Sequence, residues 1–235
     1  RALSDGEKWG NVTRNVASLV SAPRVPRYEH QPWTPDQAKR FLRSLAGDRF
    51  EALYVLALTT GMRQGELLAL HWRDLDLDEQ HLQVRFSLQW ITGKGSVLAE
   101  PKTRGSHRGI RLSRTAVTAL RRHRIRQAEE RLRLGPAWDD QGLVFPNSVG
   151  GLLQASNFVR NSFKKQLEKV DVPTIRFHDL RHTAATLLLM EGQNPKVVSE
   201  MLGHSSVVRT LDVYSHVLPN LQASAADAMD TVFGT

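Results

Sequence analysis

The chain has 235 residues, of which 40% are hydrophobic and 24% are charged, an ordinary composition for a globular protein. Its 32 Lys and Arg residues outnumber its 24 Asp and Glu residues, and the formal net charge of +8 favours a nucleic-acid partner. The absence of cysteine excludes disulfides and thiolate zinc sites, and the longest apolar runs (53–58 and 187–190) are too short to span a membrane. No signal peptide is visible, so we expect a cytoplasmic protein.

The first 33 residues predict a domain boundary. Residues 11–20 have a helical pattern, and four prolines follow within residues 21–35, which is the composition of a linker. We therefore place a linker at 23–33, with the end of an upstream domain at 1–22. Because the first residue is Arg and not Met, we expect that the natural start of the protein lies upstream.

The next segment predicts three helices. Thr34 is a suitable N-cap and Pro35 a suitable first helical residue. A second apolar helix covers about 49–59 and ends at Gly61, and a short third one covers about 63–70. Residues 81–90 alternate as a strand does, and the stretches at 96–100 and 108–113 predict two strands joined by a hairpin turn at 101–107.

The remainder of the chain is predominantly helical. Residues 113–134 predict a long basic helix, and residues 143–145 a short buried segment. Glycines and prolines then separate further helices at about 155–170, 179–191, 195–202, 206–216 and 219–232. The fold class is therefore mainly α with a small inserted antiparallel β-sheet, an α+β arrangement.

Residues 177–189 (FHDLRHTAATLLL) place three cationic or titratable groups at a helix start. His178, Arg181 and His182 share one helix face. Two histidines at this spacing would suit a metal ion, but the arginine between them would repel a cation. Arg181, His178 and free backbone N–H groups suit a phosphate instead, and a capping histidine beside a surface arginine is the alternative.

Further cationic residues stand at similar breaks in the pattern. Arg63 follows a glycine turn, and Glu66 lies one helical turn later, where it can fix the orientation of the guanidinium. His204 lies in a glycine turn, and Lys102 and Arg104 lie near the tip of the predicted hairpin; each could equally be a solvated turn residue. Tyr214 follows His204 by ten residues and could instead be a half-buried packing residue.

The order of these residues resembles the tyrosine recombinase family, also called the phage integrase family. The resemblance runs from about residue 30 to 233 and is carried by TGMRQGELLAL (60–70), HDLRHTAATLLL (178–189) and MLGHSSVVRTLDVYSHV (201–217). It implies that residues 1–22 are the remnant of a core-binding domain. It also implies a catalytic domain over residues 34–235, which ends in a C-terminal helix at 219–232.

The resemblance implies DNA cleavage without a metal or any other cofactor. A phosphodiester can be cleaved in this way by a nucleophile, cations on the non-bridging oxygens and a proton donor for the leaving oxygen. The nucleophile would be Tyr214, which forms a 3′-phosphotyrosyl link that stores the bond energy without ATP. Arg63 and Arg181 would neutralise the charge of the phosphate, and His204 would hydrogen-bond to it. Lys102 would be the general acid, and His178 would help to transfer the tyrosine proton. Glu66 would support Arg63.

The expected function is site-specific recombination on double-stranded DNA, with integration and excision of a mobile element preferred to chromosome-dimer resolution. One alternative is a type IB topoisomerase-like enzyme that relaxes supercoils. A second is a DNA-binding regulator that has lost catalysis. We expect a monomer in free solution that assembles into a tetramer on DNA, in the nucleoid of a bacterium or phage host.

Two surface features complete the expectations from sequence. Six arginines crowd residues 121–133 of the predicted basic helix, and we expect some of them, Arg122 and Arg126 among them, to lie along the DNA with Arg104. Leu221, Ala225, Met229 and Val232 form an apolar stripe on the last helix, which we expect to dock on a neighbouring subunit. The six arginines of the basic helix are Arg121, Arg122, Arg124, Arg126, Arg131 and Arg133.

His182 and His216 are interpreted as structural residues.

Overall fold

A computed structural model describes residues 2–21, 31–100, 107–204, 206–214 and 221–234. The chain divides into two compact units, residues 1–30 and 31–235. In the first unit, α1 (Ala2–Lys8) is followed by a 3-10 turn (Val16–Leu19), which the side chain of Asn15 caps. The helix predicted over 11–20 is therefore wrong. Asparagine favours caps and turns over helix interiors because its side chain competes for backbone N–H groups.

The second unit begins with three helices. Thr34 caps α2 (Pro35–Ser44) in a capping box with Gln37, as the sequence predicts. Next come α3 (Glu51–Thr60), which ends at Gly61, and α4 (Gln64–Leu68). Trp33 is buried and donates its indole N–H to the Pro173 carbonyl, so the linker boundary at 33 is wrong. The indole fills the core of the second unit and belongs to that unit.

Within the described residues, five short strands form two antiparallel sheets. The strands are β1 (Leu75–Asp76), β2 (His81–Val84), β3 (Ser87–Ile91), β4 (Gly95–Ala99) and β5 (Arg108–Arg111). One sheet has the order β1-β2-β5, and β3 pairs with β4 in the other. The single strand predicted at 81–90 is thus two strands, and the hairpin predicted between 96–100 and 108–113 is wrong. In both cases the strands have other partners: β3 pairs with β4 and β2 pairs with β5.

Helices make up the rest of the second unit. The long basic helix is α5 (Arg114–Leu134), capped by Ser113, and the segment 143–145 is buried as predicted. A helix over 155–167 consists of α6 (Ala155–Phe158), a π-helical turn (Val159–Phe163) and α7 (Lys164–Leu167). The last four helices are α8 (Asp179–Met190), α9 (Pro195–Leu202), α10 (Val207–Tyr214) and α11 (Leu221–Phe233).

The core of the second unit is built around α3, in which eight of ten residues are buried. This helix packs against both α5 and α8. Aromatic rings from other elements surround Tyr54, with Phe41 at 5.4 Å and Phe158 at 5.6 Å between ring centroids. Because both ends of α3 are fixed in this core, the turn at Gly61 and the start of α4 have a defined position. No helix in the described part of the chain is long and apolar enough to cross a membrane.

Candidate active site

Arg63 lies at the start of α4, directly after the turn that ends α3. Gly61 makes this turn with a φ of +61°, and a Cβ there would lie 2.5 Å from Leu202 Cδ2. The Arg63 guanidinium donates to Glu66 Oε1 at 2.9 Å and to the Gly203 carbonyl at 3.1 Å. Its side chain is 38% exposed, so the guanidinium is held in place yet still reaches solvent.

Glu66 is a buried carboxylate that two arginines share. It accepts the backbone N–H of Arg63 at 2.9 Å and lies in an ion pair with Arg108, whose Nη2 is 2.8 Å from Oε2. Burial acts to raise the pKa of Glu66, but the hydrogen bonds and charges of Arg108 and Arg63 outweigh it and lower the pKa. Glu66 is therefore ionised at neutral pH and fixes the orientation of Arg63.

Arg181 is the second cation of the site, and it is only 4% exposed. Its Nη1 donates to the Gly61 carbonyl at 2.7 Å and to the Leu202 carbonyl at 2.8 Å. Among the described residues, no acceptor contacts its buried Nη2. Burial lowers the pKa of Arg181 to about 9, with smaller contributions of the same sign from Arg63 and Arg108 and an opposing one from Glu66. An anion at Nη2 would satisfy this donor.

Tyr214 ends α10 and is 3% exposed. Its hydroxyl forms a 2.7 Å hydrogen bond with His182 Nδ1, and the His182 ring lies 5.2 Å from the ring of His178. Burial raises the pKa of Tyr214 to about 12, although the charge of Arg181 opposes this shift. His182, interpreted from sequence as structural, is thus the residue that contacts the tyrosine. In the sequence, the spacing of four residues from His178 indicates that His182 lies on the same helix face.

His204 lies in the turn between α9 and α10. Gly203 ends α9 in the left-handed conformation, and the His204 N–H donates to the Ser199 carbonyl at 3.0 Å. The His204 ring is oriented by a 2.8 Å hydrogen bond between Nδ1 and Thr210 Oγ1. The structure therefore brings His204, Arg63 and Arg181 to one place, the C-terminus of α9.

Some residues singled out from the sequence are outside the described residues, and others lie on α5. Lys102, Arg104 and His216 lie outside the described residues. Arg122 and Arg126 lie on α5, where Arg122 pairs with Glu51 at 2.5 Å and Arg126 donates to the Asp48 carbonyl. Arg121 and Arg131 have acidic partners of their own, Asp78 and Asp140. Arg121, Arg122 and Arg131 thus have counter-charges within the protein, while contact of this helix with DNA stays a prediction.

Sequence reasoning missed Arg108, the first residue of β5. It is 8% exposed and donates to both oxygens of Glu66 and, through Nε, to the Met201 carbonyl at 2.6 Å. No local motif marks it, because its partners come from distant parts of the chain. In the described residues, no group of three or more His, Asp or Glu side chains is placed to hold a metal ion.

Comparison with known proteins identifies the class to which this helical fold, with its arginine, histidine and tyrosine cluster, belongs. Residues 33–220 match the phage integrase family. A tyrosine recombinase XerC-like protein of Caldanaerobacter subterraneus subsp. tengcongensis is 35% identical over 87% of the chain. The ICEBs1 integrase of Bacillus subtilis is 31% identical over 93% of the chain. This chain belongs to the phage integrase family.

Solved structures agree with this assignment. The Tn1549 transposon integrase in complex with transposon right end DNA is 25% identical, with a TM-score of 0.70 over 93% of this chain and 70% of that one. The XerA recombinase is 27% identical, with a TM-score of 0.62 over 89% of this chain and 67% of that one. The chain spans 55% and 59% of the length of the two curated relatives described above.

Proposed function

We propose that this chain is the catalytic part of a site-specific recombinase that cleaves and rejoins DNA through a 3′-phosphotyrosyl intermediate. The observation that carries the proposal is the contact between Tyr214 and His182, the residue that follows Arg181. It brings a phenol close to a buried cation whose Nη2 has no acceptor among the described residues. A nucleophile beside an unsatisfied cation is the arrangement that attack on a phosphodiester requires.

The cleavage step assigns one role to each group. Tyr214 Oη attacks the phosphorus, a new O–P bond forms, and the bond from phosphorus to the 5′ oxygen breaks. The phenolic proton passes to the histidine pair, His178 and His182, and Lys102 gives a proton to the 5′ oxygen. Arg63 and Arg181 neutralise the charge on the non-bridging oxygens, and His204 donates a hydrogen bond to one of these oxygens. Attack by another 5′-hydroxyl reverses the step and joins a new strand.

The substrate is double-stranded DNA, and we propose integration and excision of a mobile element as the outcome. Two relatives, the ICEBs1 integrase and the Tn1549 transposon integrase, support this choice by their names. The second candidate is chromosome-dimer resolution, and the XerC-like relative is named only as a tyrosine recombinase, which fits either outcome. Strand exchange between two separate duplexes distinguishes both from a topoisomerase-like activity, which only relaxes a supercoiled circle.

Covalent capture of DNA tests the proposal. The chain is incubated, in excess EDTA, with a pool of duplexes that carry randomised sequence and a nick. The nick lets a short 5′-hydroxyl fragment diffuse away after cleavage, so the protein–DNA link cannot be reversed. We expect an SDS-resistant adduct with the wild-type chain and none with Tyr214→Phe. Thermal unfolding of the variant provides the control for folding.

Two results would contradict the proposal. If the wild-type chain captures no duplex from the pool, the chain has no strand-cleaving activity. If the adduct persists in Tyr214→Phe, another residue is the nucleophile. Sequencing the captured duplexes also identifies a cleavable substrate for the experiments below.

A further inference from the structure

Three successive backbone carbonyls at the end of α9 each accept a hydrogen bond from a different arginine. The Met201 carbonyl accepts from Arg108 at 2.6 Å, the Leu202 carbonyl from Arg181 at 2.8 Å and the Gly203 carbonyl from Arg63 at 3.1 Å. The last carbonyls of a helix have no partner within the helix and carry partial negative charge, which favours cations. We call residues 201–203 the carbonyl row.

The three arginines come from three separate elements. Arg63 begins α4, Arg108 begins β5 and Arg181 lies in the first turn of α8. The carbonyl row is thus the point at which these elements meet, and it directly precedes His204. Its acceptors set the distances between the guanidinium groups.

Arg108 differs from the other two arginines in what its donors contact. Nη1 and Nη2 donate to Glu66 Oε1 and Oε2 at 3.1 Å and 2.8 Å, and Nε donates to the carbonyl row. The side chain is 7% exposed, against 38% for Arg63. Arg108 is therefore turned inward and holds protein groups, whereas Arg63 is turned toward solvent.

Glu66 links Arg108 to Arg63. The same carboxylate accepts from both guanidinium groups, and burial leaves it only protein donors. Without Arg108, Glu66 would keep the bond from the backbone N–H of Arg63, and the remaining lone pairs of both oxygens would be open to a two-point pairing with the Arg63 guanidinium, the geometry that arginine and carboxylate prefer. Such a pairing would turn Arg63 away from the place where a phosphate would bind.

Gly203 shows how closely Arg108 packs against the carbonyl row. Its φ is +69°, and a Cβ at this position would lie 2.8 Å from Arg108 Nη1. The turn that precedes His204 therefore has room for the Arg108 guanidinium only because residue 203 has no side chain.

We propose that Arg108 is a positioning residue for strand cleavage: by holding Glu66 and the carbonyl row, it keeps Arg63 in one orientation toward the scissile phosphate. This inference rests on the proposed function. It assigns Arg108 no contact with DNA. Because β5 directly follows the segment that carries Lys102 and Arg104, Arg108 also anchors the start of β5 to the site.

A change in the charge of the substrate tests this role. A duplex captured by the wild-type chain is synthesised with an ordinary scissile phosphate and with a methylphosphonate, in which a methyl group replaces one non-bridging oxygen. The methylphosphonate is uncharged, so its cleavage needs less help from an oriented cation. We expect Arg108→Gln to cleave the phosphate about 100-fold more slowly than wild type, as a misplaced catalytic group does. The loss on one methylphosphonate stereoisomer should be at least about tenfold smaller.

Arg49, whose ion pair with Glu130 is half-buried, provides a control for the loss of an arginine–carboxylate pair. It donates to both oxygens of Glu130 and to the Pro146 and Asn147 carbonyls, so it also joins a carboxylate to backbone carbonyls. None of these hydrogen-bond partners of Arg49 is a residue of the candidate active site. We expect Arg49→Gln to lower the thermal stability and to leave the ratio of the two cleavage rates at the wild-type value.

A second substitution at the same position is a control for a folding defect in Arg108→Gln. Arg108→Lys keeps the charge but cannot hold both Glu66 oxygens and the Met201 carbonyl, so it should show the same selective loss on the phosphate. If both Arg108 variants lose equal activity on the two substrates, the residue is only structural and the inference is wrong. Failure of the wild-type chain to capture any duplex would instead contradict the proposed function, so the two failures are distinguishable.

Discussion

Tyr214 is a neutral and buried phenol, and this has a measurable effect on stability. Burial raises its pKa to about 12, whereas a tyrosine in an unfolded chain has a pKa of about 10. The folded state therefore binds the phenolic proton more tightly than the unfolded state. The corresponding stability is fully present below pH 10 and is lost as the pH rises through 12.

We expect this loss to appear when wild type is compared with Tyr214→Phe. Between about pH 9 and pH 12, the free energy of unfolding of wild type should fall by up to about 2 to 3 kcal/mol relative to the variant. Urea unfolding of both proteins measures the difference. Arg181 also titrates in this range, with the opposite sign, but it is present in both proteins. Parallel curves would show that the tyrosine is not held as a neutral phenol.

The side-chain contacts that the sequence reveals are the local ones. Arg63 and Glu66 are three positions apart, and their contact follows from helix geometry. Arg108 meets Glu66 across 42 positions, and His182 meets Tyr214 across 32. Contacts of this second kind depend on how elements pack, and periodicity contains no information on that packing.

At the scale of elements, strand pairing was the least predictable feature. Apolar residues alternate without a break from Leu82 through Phe86 to Trp90. The backbone nevertheless changes partner at 85–86, where β2 ends and β3 begins. Alternation reports which face a side chain occupies, and it does not report which strand lies alongside. Helix ends were more predictable, because Thr34, Gly61 and Gly203 mark them chemically.

The basic helix α5 gives a prediction at this scale. Arg122 pairs with Glu51, whose side chain is 14% exposed, and Arg126 donates to the Asp48 carbonyl. We expect Arg122→Gln with Arg126→Gln to lower the melting temperature, and the salt dependence of DNA binding in this double variant tests whether the same arginines also contact DNA. Thermal unfolding and binding titrations at several salt concentrations, on a captured duplex, measure both effects.

A smaller salt dependence would support the DNA contact predicted from the sequence, and an unchanged one would contradict it. Each lost phosphate contact lowers the slope of log affinity against log salt by about one unit. A decrease of one to two units in the double variant would therefore show that α5 lies along DNA. Arg133→Gln, on the same helix, is the control for a general change in charge.

At the scale of the whole molecule, α11 carries apolar side chains on its surface. Met229, Val232 and Phe233 are 59%, 71% and 76% exposed. A helix of 13 residues is marginal alone in water, so we propose that it docks on a neighbouring subunit when the protein assembles on DNA. Because α11 follows Tyr214 closely in the chain, docking would couple assembly to the position of the nucleophile.

Deletion of residues 219–235 tests this coupling. Binding of one duplex should remain within a few-fold of wild type, while the complex of two duplexes should disappear in a gel-shift assay. If the shortened chain loses binding of a single duplex, or unfolds, α11 packs within its own domain and the coupling is wrong. Met229→Ser with Val232→Ser should weaken the two-duplex complex in the same direction without shortening the chain.

The carbonyl row has a consequence for how sequences of this kind can vary. The atoms that gather the arginines belong to the backbone, so a different side chain at Met201 leaves the acceptor in place. Insertion or removal of one residue in α9 would displace the acceptors, because it would rotate every later carbonyl by about 100° around the helix axis. All three guanidinium groups would lose their acceptors together. Position 201 should therefore tolerate substitution, whereas Gly203 and the number of residues in α9 should be kept, because a side chain at 203 would collide with Arg108.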